Sequence, residues 1–336
     1  MKIIGLLICR NESWILPTTL PQQLRFVDEL LVLDGRSTDN TRDILKRAGK
    51  QVHVRIQKGK TANYAQWRQE LMQWARERGA THIVSLDGDE ALSSNLLDGW
   101  NELLASMKPG EKLSLDWISL WKSPYHYLTQ GSVFAHLVKD FIFCDDGISA
   151  YEKIALHEGR TPGQMTASNN RVLPRKVGVT LHFQFVPWER VQMKQAYIRC
   201  LDYSTGSDTP KGINYKYEET LETDRVRTDK VPAEWISGMK MQKNLASMPH
   251  DWFYDALIAK FDEKGIEYFE PMQIWHIPKL HEEFTKRMHR EPQTQTYSWA
   301  ARAARKATGK ALSWFPANAR NSLFSTIKTI NSKIGL

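Results

Sequence analysis

His82-Ile83-Val84-Ser85-Leu86-Asp87-Gly88-Asp89-Glu90 is the stretch on which the fold turns. Its first part is apolar with little alternation, the mark of a strand buried on both faces, and its last residues set three carboxylates at the strand's end. Two earlier segments have the same form. Ile3-Ile4-Gly5-Leu6-Leu7-Ile8-Cys9 runs into Arg10-Asn11-Glu12, and Glu29-Leu30-Leu31-Val32-Leu33-Asp34 runs into Gly35-Arg36. Val52-His53-Val54-Arg55-Ile56 alternates, as an edge or half-buried strand does. Helix signals lie between them. Ser37-Thr38-Asp39 offers N-caps for a helix through Asp43–Arg47 closed by Gly49, and Ala62–Arg78 spaces Ala65, Leu71, Met72 and Ala75 helically before Gly79. Strand-helix alternation predicts an α/β fold with right-handed crossovers and a mostly parallel sheet flanked by helices. Ligands of such sheets sit beyond the carboxyl ends of the strands.

Asp87 and Asp89 are two apart, so in extended backbone they share one side, roughly 6.6 Å apart along the chain. Two hard oxygen donors suit Mg²⁺ or Mn²⁺ completed by phosphates and water. The opposing reading is a polar turn, since Asp-Gly is common there. A phosphohydrolase of the haloacid dehalogenase type also uses an Asp pair. That class places it after the first strand with Thr or Val two residues on, where this chain has Ala91.

Asp34-Gly35-Arg36-Ser37-Thr38-Asp39-Asn40-Thr41 resembles the DDGSTDNT element of family 2 glycosyltransferases, and Leu86–Glu90 is similar to their LDADE. Arg10-Asn11-Glu12 resembles the NE after their first strand, and Gln66-Trp67-Arg68 falls where they carry ARN. The resemblance implies a GT-A, Rossmann-like fold and a nucleotide-diphospho-sugar donor, a UDP- or GDP-sugar. It assigns Asp34 to the nucleoside, Asp87 to the ribose or the ion, and Asp89 to the metal. Arg10, Asn11, Glu12, Arg36, Lys58, Lys60 and Arg68 complete the expected donor set, the cations complementing the diphosphate. One departure stands out: the family's second Asp and its Gly are Gly35 and Arg36 here, so Arg36 is expected to reach a phosphate.

Farther on, Asp145-Asp146-Gly147 and Leu156-His157-Glu158 precede Leu181-His182-Phe183, similar to the HE pair and later His of the lipopolysaccharide-type branch. Attack by an acceptor hydroxyl needs a general base. Glu158 is the first candidate and Asp146 the second, each against the alternative of a solvated acid. His182, in the apolar stretch Val179–Val186, is either a core histidine or a metal or diphosphate contact.

The net charge of +8 is uneven. From Pro292 to Leu336 there is no acid, but there are seven bases: Arg302, Arg305, Lys306, Lys310, Arg320, Lys328 and Lys333. The rest of the chain is near neutral. Interleaved Trp299, Trp314, Phe315 and Phe324 suit a helix on an anionic membrane surface, the alternative being a helix packed on its own protein. No nucleic-acid recognition motif accompanies these bases. Three widely spaced cysteines, Cys9, Cys144 and Cys200, outline neither a disulfide framework nor a zinc site and fit a reducing compartment. The apolar opening is too short for a signal peptide, and no transmembrane run is present.

The expected organisation is a catalytic domain over 1–210, a helical acceptor-side region over 211–291 and a basic amphipathic tail over 292–336. The expected activity is inverting, metal-dependent sugar transfer to a glycan or lipid-linked acceptor, in the cytoplasm or on the inner face of the membrane. A nucleotidyltransferase and a non-catalytic nucleotide-sugar binding protein are the alternatives. The first should carry a Gly-rich basic loop after its first strand, where Arg10-Asn11-Glu12 stands; the second needs no acceptor base.

Overall fold

The computed structural model describes residues 1–58, 63–132, 134–151, 159–163, 165, 170–218, 226–247 and 252–312. The chain forms two compact units, Met1–Val191 with Asp224–His250, and Gln192–Thr223 with Asp251–Leu336. This division differs from the expected breaks at 210 and 291: the chain leaves the first unit within a helix, and a later segment returns to it.

In the first unit, β1 (Ile3–Cys9), α1 (Leu16–Gln23), β2 (Glu29–Asp34), α2 (Thr41–Arg47), β3 (Val52–Ile56), α3 (Tyr64–Glu77) and β4 (His82–Asp87) follow one another. After them come β5 (Glu90–Leu92), α4 (Trp100–Ala105), β6 (Lys112–Ser119), β7 (His126–Gln130), β8 (Leu137–Cys144), β9 (Asn170–Val172), β10 (Thr180–His182) and, on the returning segment, β11 (Arg227–Lys230). The main sheet has the order β3-β2-β1-β4-β8-β6-β10-β5, with β9 added to β6, and β7 pairs with β11 in a small separate ribbon. The first four strands are parallel, and antiparallel β8 joins β4 to β6. The fold is thus mixed α/β with a mostly parallel sheet, as expected.

The unbroken apolar character of β1 has a simple cause. Ile4, Leu6 and Ile8 pack with Trp67, Leu71, Met72 and Ala75 of α3. Leu7 and Cys9 face the other way, toward Leu16 and Leu20 of α1 and Leu45 of α2. Each fully buried aliphatic side chain of this kind contributes about 1.5–3 kcal/mol. Parallel register then sets the strand ends side by side, with Cys9 opposite Asp34 and Ile8 opposite Asp87.

The second unit is helical among the described residues: most of α5 (Trp188–Ser204), then α6 (Pro210–Lys216), α7 (Trp252–Lys264), α8 (Pro278–Met288) and α9 (Trp299–Leu312). Its core gathers Met193, Cys200, Phe253, Phe261, Phe269 and Phe284, among others. The sequence carries little sign of α5. That helix buries Arg190, Gln195 and Arg199 beside Val191, Ala196 and Cys200, so its sequence shows no clean apolar stripe. The start of the basic tail is likewise packed. The Gln295 amide donates to Pro271 O at 3.0 Å, Tyr297 is buried, and Arg302 pairs with Glu218. Residues 313–336 lie outside the described residues. Among the described residues no helix is long and apolar enough to cross a membrane.

Candidate functional site

The loops after β1 and β2 are stitched together by backbone donors. The Asn11 amide donates to Ser37 Oγ at 2.9 Å, and Asn11 Oδ1 accepts from the Thr38 amide at 2.7 Å. The Glu12 amide donates to Thr41 Oγ1 at 2.8 Å. Asn11 has φ = 55°, a left-handed conformation Asn tolerates. Arg36 has φ = 65°, at the position where the family pattern has glycine. This departure therefore costs backbone energy, about 1 kcal/mol, and holds an exposed guanidinium at the rim. Arg10 is exposed beside it.

Asp34 is 0% exposed; its carboxylate accepts from the Ser37 amide at 3.1 and 3.2 Å and from Arg42 Nε at 2.8 Å. In this structure it shapes its own loop. Glu12 accepts from Trp14 Nε1 at 2.5 Å, and its stem fills the space a Cβ on Gly88 would need, 3.0 Å away. A side chain at position 88 would have to push the Glu12 stem aside.

Asp87 lies between two guanidiniums. Arg68 Nη2 reaches its Oδ1 at 2.9 Å while Arg68 Nη1 donates to Ser85 Oγ at 3.0 Å, and Arg160 reaches its Oδ2. Burial alone raises the Asp87 carboxyl, but Arg160 and Arg68 outweigh it and hold it below the usual carboxylate range. With both oxygens engaged, Asp87 anchors the two arginines in this structure. Arg68 is likewise engaged behind the site.

Glu90, absent from the expected set, is fully buried. It accepts from the Asp87 amide at 2.8 Å, from Trp117 Nε1 at 2.9 Å and from Arg160 at 2.6 and 3.2 Å. Lys139 lies over the Trp117 ring at 3.4 Å. Burial pulls its ammonium down to about 8, Arg160 adding to the fall while Glu90, Asp87 and Asp89 oppose it. Glu90 was visible in the sequence as the last acid of the strand end. Arg160 and Lys139 gave no signal, because tertiary pairing alone brings them here.

Asp89 is buried, and its Oδ2 lies 3.5 Å from Nε2 of buried His182. Neighbouring donors on one octahedral ion with bonds of about 2.1 Å sit roughly 3 Å apart, so this pair suits a shared cation. Among the described residues no group of three or more His, Cys, Asp or Glu side chains is placed to hold an ion. A cation here would draw its remaining ligands from substrate and water.

Asp146 is elsewhere. Its carboxylate accepts from the Ile148 and Ser149 amides at 3.0 and 2.8 Å and from Ser149 Oγ at 2.6 Å. The Asp145 amide bonds Thr81 O, at the amino end of β4, some five residues or roughly 16 Å of strand from Asp87. Asp146 therefore closes a turn near the amino end of β4. Lys60 and Glu158 lie outside the described residues.

Residues 6–106 match the family model described as glycosyl transferase family 2. The match covers less than a third of the chain, the stretch that carries β1 to β4 with Asp34, Asp87 and Asp89, and glycosyltransferase is the class of enzyme that it supports. Among solved structures, Staphylococcus aureus TarS 1–349 in complex with UDP-GlcNAc is 12% identical, with 85% of this chain and 88% of that one covered at a TM-score of 0.40. Glucosyl-3-phosphoglycerate synthase from Mycobacterium tuberculosis, in complex with Mn²⁺, UDP and glucosyl-3-phosphoglycerate, is 19% identical over 35% of this chain and 44% of that one, at 0.25. A nucleotidyl transferase from Methanothermobacter is 14% identical over 37% and 67%, at 0.27. These likenesses, all below a TM-score of 0.5, add nothing to the family match. No curated protein matches the chain.

Proposed function

We propose that this glycosyltransferase moves a sugar from a nucleotide-diphospho-sugar, a UDP- or GDP-sugar, to a hydroxyl of a glycan or lipid-linked acceptor, with inversion. The observation that carries the reading is the pair Asp89 and His182, 3.5 Å apart at the carboxyl ends of the strands beside the family-matched segment. That pair would hold Mn²⁺ or Mg²⁺, whose charge, when bound, offsets the charge growing on the diphosphate leaving group. Arg68 and Arg160 hold Asp87, and through it the loop that carries Asp89, in a fixed geometry. Exposed Arg10 and Arg36 stand at the rim for donor phosphates. Glu158 is proposed as the acceptor base on its sequence position, ahead of Asp146, whose neighbour Asp145 bonds the amino end of β4. The basic tail, through residues 313–336, is proposed to meet an anionic membrane surface.

Product analysis against a panel of UDP- and GDP-sugars with mixed glycan and lipid-linked acceptors tests the reading. Transfer of the sugar with release of nucleoside diphosphate is the expected result. Asp89→Ala should lower turnover by roughly 10²–10³-fold, the scale of losing one transition-state electrostatic contact. Asp89→Ala turning over like the parent would remove the metal from the reading.

A further inference from the structure

Histidines that bind metal ordinarily donate the second ring nitrogen to a carboxylate, carbonyl or water, and that bond fixes the ring's direction. His182 departs from this: its Nδ1 is buried and has no hydrogen-bond partner among the described residues. Something else holds the imidazole toward Asp89. Its ring lies on the indole of Trp117, centroids 4.1 Å apart and planes 20° apart, with Phe185 edge-on at 6.0 Å.

Trp117 is itself fixed from three sides. Strand order runs β8-β6-β10, so Lys139 on β8 and His182 on β10 flank Trp117 on β6. Lys139 lies over the ring at 3.4 Å, and the indole edge donates to Glu90 at 2.9 Å. Glu90 in turn takes the Asp87 amide and Arg160. One connected set of contacts thus joins the two aspartates of the strand end from opposite sides: Asp87 through Glu90, and Asp89 through Trp117 and His182.

We propose that Trp117 is the positioning residue for the divalent-cation site, its indole face replacing the hydrogen bond that usually orients a ligating histidine. The inference rests on the reading of Asp89 and His182 as the ion's donors. Stacking fixes the plane of the ring, while its Nδ1 is kept from water by burial rather than by a partner.

Electron paramagnetic resonance with Mn²⁺ alone, without donor or acceptor, reads the site apart from catalysis. Trp117→Leu removes the stacking face and should weaken Mn²⁺ about tenfold to a hundredfold, the usual effect of losing a support of a metal ligand. Trp117→Phe keeps a face and should restore most of that affinity, though it loses the bond to Glu90. Asp89→Asn separates the ion's donors from their support. If it binds Mn²⁺ like the parent, the donors are misassigned and the reading beneath falls. If it loses Mn²⁺ while folded Trp117→Leu binds normally, only the role of Trp117 is overturned. Should Trp117→Leu fail to fold, the parent still decides: His182 ring protons, assigned with His182→Gln, must show the upfield shift of a stacked imidazole, and their absence overturns the proposal.

Discussion

Lys139 illustrates how one residue carries a cost set by its neighbours. Its ammonium titrates at about 8 instead of the ordinary 10.5, burial being the main cause. The folded chain therefore disfavours the charged form. Below pH 8 the side chain is protonated whether the chain is folded or not, and the cost is constant and complete. Between about 8 and 10.5 the folded chain releases its proton first, so stability from this group rises with pH. Lys139→Met should accordingly be more stable than the parent at pH 7, by about 2 kcal/mol, a figure discounted for partial solvation. The advantage should shrink toward pH 10. Thermal unfolding at both values checks it, and a gap that ignores pH would point to packing rather than charge. At this scale the sequence disclosed Asp87, Asp89 and His182, because strand ends and apolar stretches are local signals. Arg160 and Lys139 stayed hidden, because each owes its place only to residues far along the chain.

Among elements, α1 does the least expected work. Its sequence, Leu16-Pro17-Thr18-Thr19-Leu20-Pro21-Gln22-Gln23, has two prolines in eight residues, one of them inside the helix, and reads as a breaker. Yet one face carries three donors to the loop after β4. Thr19 Oγ1 reaches Gly88 O at 2.7 Å, Gln22 Nε2 reaches Leu92 O at 2.8 Å, and Gln23 Nε2 reaches Asp87 O at 3.1 Å and Glu90 O at 2.7 Å. Buried carbonyls without donors are costly, so Gln23→Leu should destabilise the chain by about 1–3 kcal/mol in urea unfolding and also slow turnover. Loss of stability with unchanged turnover would confine α1 to scaffolding. The strands β1, β2 and β4 could be read to the residue because burial on both faces leaves an apolar run, and the edge strand β3 because it alternates. The helices α1 and α5 could not, because their buried faces are made of amides, hydroxyls and guanidiniums that resemble surface.

At the scale of the whole chain, the tail is two things. Its first part, through Tyr297 and the Arg302–Glu218 pair, belongs to the second unit. Its last part, residues 313–336, carries Arg320, Lys328 and Lys333 among aromatics. A chain ending at Leu312 should keep its melting temperature and lose part of its sedimentation with anionic vesicles at low salt, each base near the surface contributing up to about 1 kcal/mol. A chain ending at Glu291 should melt several degrees lower. Equal melting of both truncations would mean that the packed part contributes nothing. The three cysteines carry a consequence of another kind. Cys9, Cys144 and Cys200 are all buried, and burial raises every one of the thiols above its usual range. Since the thiolate is the reactive form, the three thiols of the folded chain are poorly reactive. Alkylating reagents reach them only when a unit opens, so each unit holds a latent chemical record of its own unfolding.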